Sequence, residues 1–459
     1  MLFFNKNLIL LFAVLAVFSC KNTKELSVSQ DLYSDNDEIV NTDDQDDLTD
    51  DQSQKTLDST YYMDKSHLKS IHTVLLHPLE NELLEPIIHL SSQEKLLLSF
   101  DDLDQTPKNL FYTLIHCNSQ WQPSDLFKSE YLQGFDQDYI ESPQSSYNTI
   151  QFYSHYRTTI PSQNMVPLYS GNYIIHVFDE DYPQEVILSK RMRIIDNKIK
   201  VTGSVKRATD LDQRNYQHEI DFTLNHSGLT INDPFNDIKV IISQNNRWDN
   251  AISGLQPNFV NNGQLIYDQE DFNLFDGGNE YRFFEIKSLR YLSERLANIS
   301  FENDTNVVVL RTDIKRSFQT YSSIRDINGK KLIKVQEGTN SEIEADYALV
   351  NFSLPYDREI THGDLYVFGH ISDYDFLPSH KMIFNQETKR YQSSIYLKQG
   401  YYNYEYILKK DDGESINRFI EGTHYETIND YFIYIYYRPL GTDYDQLLGY
   451  QKLSSKGLF

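Results

Sequence analysis

The chain has 459 residues, more than a single hydrophobic core organises, which sets an expectation of about three domains. Its formal charge of −25 excludes roles that depend on neutralising phosphates, so no nucleic acid is expected as a partner. Aromatic residues are plentiful, with 34 Tyr and 26 Phe, and such side chains suit half-buried pleated surfaces.

The N-terminus reads as a processing signal over residues 1–19. Lys6 supplies a short basic region, and the apolar run at 8–18 that follows is too short to span a bilayer. That run ends at Val17-Phe18-Ser19-Cys20, where a small residue before a Cys resembles the bacterial lipobox. Cys20 is therefore the expected lipid-attachment residue. Ordinary cleavage beside it, or a bridge from Cys20 to Cys117, is the competing reading. No later stretch approaches 18 consecutive apolar residues, so no further membrane-spanning helix is expected.

Residues 20–65 read as an acidic, disordered tether. Twelve acidic residues against three lysines over 21–60, including Asp43-Asp44-Gln45-Asp46-Asp47, leave too little apolar surface to fold. Calcium chelation by this run lacks the ligand spacing and turn glycine such a loop needs.

From about residue 66 the pattern is strands and turns. His218-Glu219-Ile220-Asp221-Phe222-Thr223-Leu224 alternates polar and apolar residues, as does Val350-Asn351-Phe352-Ser353-Leu354. Val307-Val308-Val309-Leu310 and Ile238-Lys239-Val240-Ile241-Ile242 suit more deeply buried strands. Turn residues punctuate at Ser170-Gly171-Asn172, Asp276-Gly277-Gly278-Asn279, Asn328-Gly329 and Gln399-Gly400. The expectation is an all-β fold of tandem immunoglobulin-like β-sandwiches, with bodies at 66–197, 198–333 and 334–459.

The chemistry-bearing motifs are missing. There is no Gly-x-Ser-x-Gly elbow, no His-Glu-x-x-His, no zinc spacing among the 13 His and no phosphate loop, so neither catalysis, cofactor nor metal is expected. Tyr401-Tyr402-Asn403-Tyr404-Glu405-Tyr406 and the aromatic run 431–437 put rings on both faces of strands. Sandwich core is the plainer reading of these, and a glycan-stacking platform is the alternative.

A series of motifs carries more. His116-Cys117-Asn118, Trp121-Gln122-Pro123-Ser124, Glu130-Tyr131-Leu132-Gln133-Gly134-Phe135 and Ser170-Gly171-Asn172-Tyr173 resemble the first domain of the type IX secretion system plug protein family. Phe100-Asp101-Asp102-Leu103 and Ser154-His155-Tyr156 fit it too. The likeness continues through Gln244-Asn245-Asn246-Arg247-Trp248, Gly278-Asn279-Glu280-Tyr281-Arg282-Phe283-Phe284 and Asp326-Ile327-Asn328-Gly329. Asp346-Tyr347, Leu397-Lys398-Gln399-Gly400-Tyr401-Tyr402, Glu421-Gly422-Thr423-His424, Arg438-Pro439 and Asp445-Gln446-Leu447-Leu448-Gly449 complete it.

The resemblance implies a non-enzymatic periplasmic protein, held to the outer membrane by its lipid, that seals the mouth of an outer-membrane translocon barrel when no cargo passes. The final domain also resembles immunoglobulin-like modules found beside glycogen-binding proteins, without the tryptophans that would hold sugar. Trp121 and Trp248 are expected in the core, and Gly134, Gly171, Gly278 and Gly400 at turns of positive φ. Partner contacts are expected on exposed loops, first at Asn279, Glu280, Tyr281 and Arg282. A glycan-binding lipoprotein is the alternative function.

Overall fold

The computed structural model describes residues 59–104 and 106–457. The expected signal segment, Cys20 and all but the end of the acidic tether lie outside them. Among the described residues the strands form paired sheets, and the only α-helices are four single turns. No helix among them is long and apolar enough to cross a membrane.

The first sandwich packs two sheets. One runs Ile71–Pro78, Leu96–Asp102, Ser154–Ile160 and Gln144–Ser145; the other runs Lys65–Ser66, Tyr182–Ile195, Gly171–Asp179, Leu110–Cys117 and Asp138–Tyr139. Alternation along Gly171–Asp179 sends Tyr173, Ile175 and Val177 into the core against Leu96, Leu98 and Phe100 of the facing sheet. Ile174 points the other way, into a separate cluster with Cys117 and Trp121. Both faces of this sheet are thus covered.

The second sandwich joins segments far apart in sequence. Lys200–Arg207, Gln217–Asn225, Gln264–Tyr267 and Phe259–Asn261 make one sheet, with Leu274–Asp276 paired at the side. Its partner sheet runs Ile252–Ser253, Ile238–Gln244, Asp430–Tyr437 and Gln446–Ser454. Ile238 to Gln244 pair residue by residue with Tyr437 to Tyr431. The third sandwich lies between these segments in the chain. Arg282–Glu285, Gly400–Lys410 and Lys331–Ile333 face a sheet of Leu296–Glu302, Thr305–Leu310, Tyr347–Pro355, Arg390–Lys398 and Ile383–Asn385.

The strand types match the reading from sequence, but the bodies 198–333 and 334–459 do not. The third sandwich is inserted into the second, and the last two strands close the second rather than the third. The polar stretch 334–345 that suggested a boundary is a connection inside the third sandwich, carrying the single turn Ser341–Glu344. Loop composition marks a turn equally well within a body and between bodies, whereas pairing partners 200 residues away leave no local trace.

The insertion also explains the aromatic run. In Asp430–Tyr437 the residues Tyr431, Ile433, Ile435 and Tyr437 face the second sandwich's own core. Phe432, Tyr434 and Tyr436 face the first sandwich, in a cluster with Ile195, Ile241 and Leu447. Tyr402, Tyr404 and Tyr406 are buried in the third. Gly278 has the expected positive φ, +67°, but Gly400 does not. Gly400 is needed for close approach: a Cβ there would lie 2.5 Å from the Leu332 carbonyl oxygen of the neighbouring strand.

Candidate functional site

Three seams join the sandwiches, and each is built around buried charge. At the first–third seam, Asp101 and His155 are opposite residues on paired strands. Asp101 Oδ1 bonds His155 Nδ1 at 2.7 Å, while Oδ2 accepts from Lys398 Nζ and the Tyr347 hydroxyl, each at 2.6 Å. Lys398 and Tyr347 are themselves opposite residues in the third sandwich. Burial pushes the Asp101 carboxyl up, but Lys398 and His155 outweigh it and hold it below the usual carboxylate range. Both oxygens are committed, which suits a fixed joint rather than a group that exchanges protons.

The same seam is extended by Asp346, whose two oxygens accept from the backbone N–H groups of Ile150 (2.8 Å) and Gln151 (3.0 Å). Arg157 reaches Glu342 at 3.0 Å, and the Tyr153 hydroxyl donates to the Ala345 carbonyl at 2.8 Å. A cleft of about 750 Å3 opens beside it, lined in part by Asp101, His155, Arg157, Glu342 and Lys398.

At the first–second seam the buried Asp445 takes Lys239 (3.0 Å) and Arg438 (2.8 Å) from its own sandwich and the Ser119 N–H (2.9 Å) from the first. The Tyr436 hydroxyl donates to Asn172 at 2.8 Å. At the second–third seam Arg247 pairs with Glu405 (2.6 Å) and Asp249 (2.7 Å).

The residues expected on an exposed loop lie where the chain passes from the second sandwich into the third. Asn279 donates its side-chain N–H to the Glu421 carbonyl at 2.8 Å. Glu280, Tyr281 and Arg282 are only 1, 4 and 8% exposed. Glu280 accepts from the Tyr321 hydroxyl and, at 3.1 Å, from the Ile428 N–H. Arg282 pairs with Glu421 (3.0 Å) and Asp313 (2.9 Å), carboxylates that also take Arg316 and Arg295. Tyr404 and Tyr406 donate to the remaining Asp313 oxygen at 2.6 and 2.8 Å. Arg282 opens a strand of the third sandwich, so Glu280, Tyr281 and Arg282 are buried and do not stand on an exposed loop. Cys20, the expected lipid site, lies outside the described residues.

The motifs quoted from the sequence converge on these seams. Asp101, His155, Tyr347 and Lys398 come from four separate motifs and form one cluster. Asn172 and Asp445 serve the first–second seam and Arg247 the second–third, while Arg282 and Glu421 pair inside the third sandwich. Nothing local in the sequence signals that these residues meet, since each pairing is long-range. One acidic group, Glu219, Asp221 and Asp268, has ligand atoms close together, and Lys206 already reaches Glu219 (3.1 Å) and Asp221 (2.6 Å).

Residues 71–196, the span of the first sandwich, match the model of the type 9 secretion system plug protein 1st domain. The first sandwich belongs to this plug protein family. That ties it to type IX secretion and the cell envelope. A crystal structure of a hypothetical protein from Parabacteroides merdae ATCC 43184 is 33% identical, with a TM-score of 0.83 over 85% of this chain and 99% of that one. An alkylpurine DNA glycosylase, AlkC, from Pseudomonas fluorescens bound to DNA aligns at 15% identity over 27% of this chain and 30% of its own, with a TM-score of 0.17, and carries no argument. No curated protein matches the chain.

Proposed function

We propose that the protein is a non-enzymatic plug that binds the periplasmic mouth of the type IX outer-membrane translocon barrel and seals the pore between cargo passages. Acylated Cys20 holds it to the outer membrane on a tether shorter than the 20–65 expected from sequence, because Ser59–Tyr62 forms a turn and Lys65–Ser66 already pairs with Tyr182–Ile195. The observation that carries this reading is the joining of a plug-family first domain to two further sandwiches through seams of buried charge. Such seams suit a body that must stand in an opening without deforming. A compact unit of about 400 residues has a diameter on the order of 55 Å, enough to obstruct a protein-conducting pore.

The contact with the barrel is reversible in this reading, and so more polar than a domain core, because cargo has to displace it. The glycan-binding alternative loses its main support, since Tyr402, Tyr404, Tyr406, Tyr431, Tyr434 and Tyr436 are all buried and offer no stacking platform. The test is uptake of a large polar antibiotic by cells with and without the protein. Deletion should raise uptake while the barrel stays folded in the membrane. Equal uptake, with the barrel shown present and empty, removes the plug assignment.

A further inference from the structure

A cavity of about 270 Å3 lies where all three sandwiches meet, lined by Arg191 and Arg193 of the first, Asn246 and Trp248 of the second, and Tyr374 and Phe376 of the third. Arg191 and Arg193 sit two residues apart on Tyr182–Ile195 and so share its outer face. The Arg191 guanidinium lies 4.6 Å from the Trp121 ring centre and 5.4 Å from that of Trp248. That of Arg193 lies 4.9 Å from Trp121 and 4.2 Å from Tyr434.

The carboxylates around this junction already have donors. Asp64 accepts from the Arg191 backbone N–H, and Asp249 takes Arg247. Asp373 takes Lys190 and Lys331, Asp375 accepts from the Phe376 N–H, and Glu85 takes Lys330 and Asn246. The two guanidiniums are the opposite case. Arg191 donates Nε to the Tyr62 carbonyl at 2.9 Å, but neither arginine forms an ion pair among the described residues. Arg193 is 5% exposed; its guanidinium hydrogen-bonds the Tyr436 hydroxyl, and its Nε has no hydrogen-bond partner. Buried cations without an anion are expensive, and stacking on aromatic faces offsets only part of the cost. Burial pushes Arg191 down to about 10, with Asp64 opposing and Arg193 adding to the shift, whereas the Tyr434 and Tyr436 hydroxyls outweigh burial at Arg193 and raise it.

We propose that this junction is a binding site for a small oxyanion, a carboxylate or phosphoryl group, held by Arg191 and Arg193 beside Trp248. The planar guanidinium fork matches either group in a bidentate manner. An occupant would touch all three sandwiches at once and fasten them together.

Trp121 and Trp248 are the chain's only two tryptophans, so tryptophan emission, excited at the red edge of the band where the 34 Tyr do not absorb, reports on this junction. The purified protein is titrated with inorganic phosphate and, separately, with acetate, against chloride at matched ionic strength. A saturable emission change with either ion is expected, and the stronger response identifies a phosphoryl or a carboxylate site. Arg193→Gln should weaken the apparent affinity at least tenfold. Arg193→Lys, which keeps the charge and loses the fork, serves the same purpose if the first variant does not fold. A response no different from chloride, or one undiminished in a folded variant, overturns the proposal.

Discussion

Arg282 shows what a single residue does within a buried charge network. Replacing it with Ala leaves Asp313 and Glu421 buried with one cation fewer each, and Arg295 and Arg316 compensate only in part. Removing one partner of a buried pair costs about 3 kcal/mol or more, so Arg282→Ala should lower the urea midpoint markedly. An exposed loop residue would shift stability by less than about 0.5 kcal/mol, so the same measurement separates the two placements. Buried histidines give a second expectation. Burial pushes His116 and His380 down to about 4, against weaker opposing bonds to the carbonyls of Ser170 and Ile371. Both stay neutral in the fold while the unfolded chain takes up protons near pH 6.5. Their stabilisation is therefore complete above pH 6.5 and lost as pH falls toward 4, on the order of 3 kcal/mol for each. Urea unfolding at pH 7.5 and pH 5 should show the loss, and His380→Gln should reduce it.

At the scale of elements, the strand pairing makes a sharp claim about which pieces fold. A fragment of residues 198–333 lacks the two strands that complete its second sheet and should be unfolded by circular dichroism and readily cut by protease. Strands themselves were legible from sequence, because alternation such as Glu219 to Leu224 depends only on neighbours two residues apart. The aromatic run was legible as a strand and ambiguous in its role. Tyr434 and Tyr436 look free for a ligand until the first sandwich is seen to cover them. The same limit hid the Asp101 cluster, whose members span 297 residues of sequence. It also misplaced Asn279 to Arg282, where a Gly-Gly turn was read as the tip of a surface loop but leads into a strand of the third sandwich. Turn chemistry is local, and burial is not.

As a whole molecule, the three sandwiches should unfold together. Calorimetry of the intact chain is expected to show one transition, because no sandwich can leave without stripping partners from buried charges at two seams. Lys398→Met strands Asp101 at the first–third seam and should split or broaden that transition; an unchanged single peak at the same temperature would show the seam to be weak. The insertion of the third sandwich into the second has a consequence for how the protein is made. His218 bonds Tyr431, 213 residues further along, and Ile238–Gln244 cannot pair until Asp430–Tyr437 has arrived. Closing so long a loop is slow, and it comes after the first and third sandwiches have every strand they need. During biogenesis the second sandwich is therefore the last to close, and its half-built sheet shows an open edge until the final strands emerge. A chain lacking Asp430–Tyr437 and Gln446–Ser454 would keep two finished sandwiches and still carry that sticky edge.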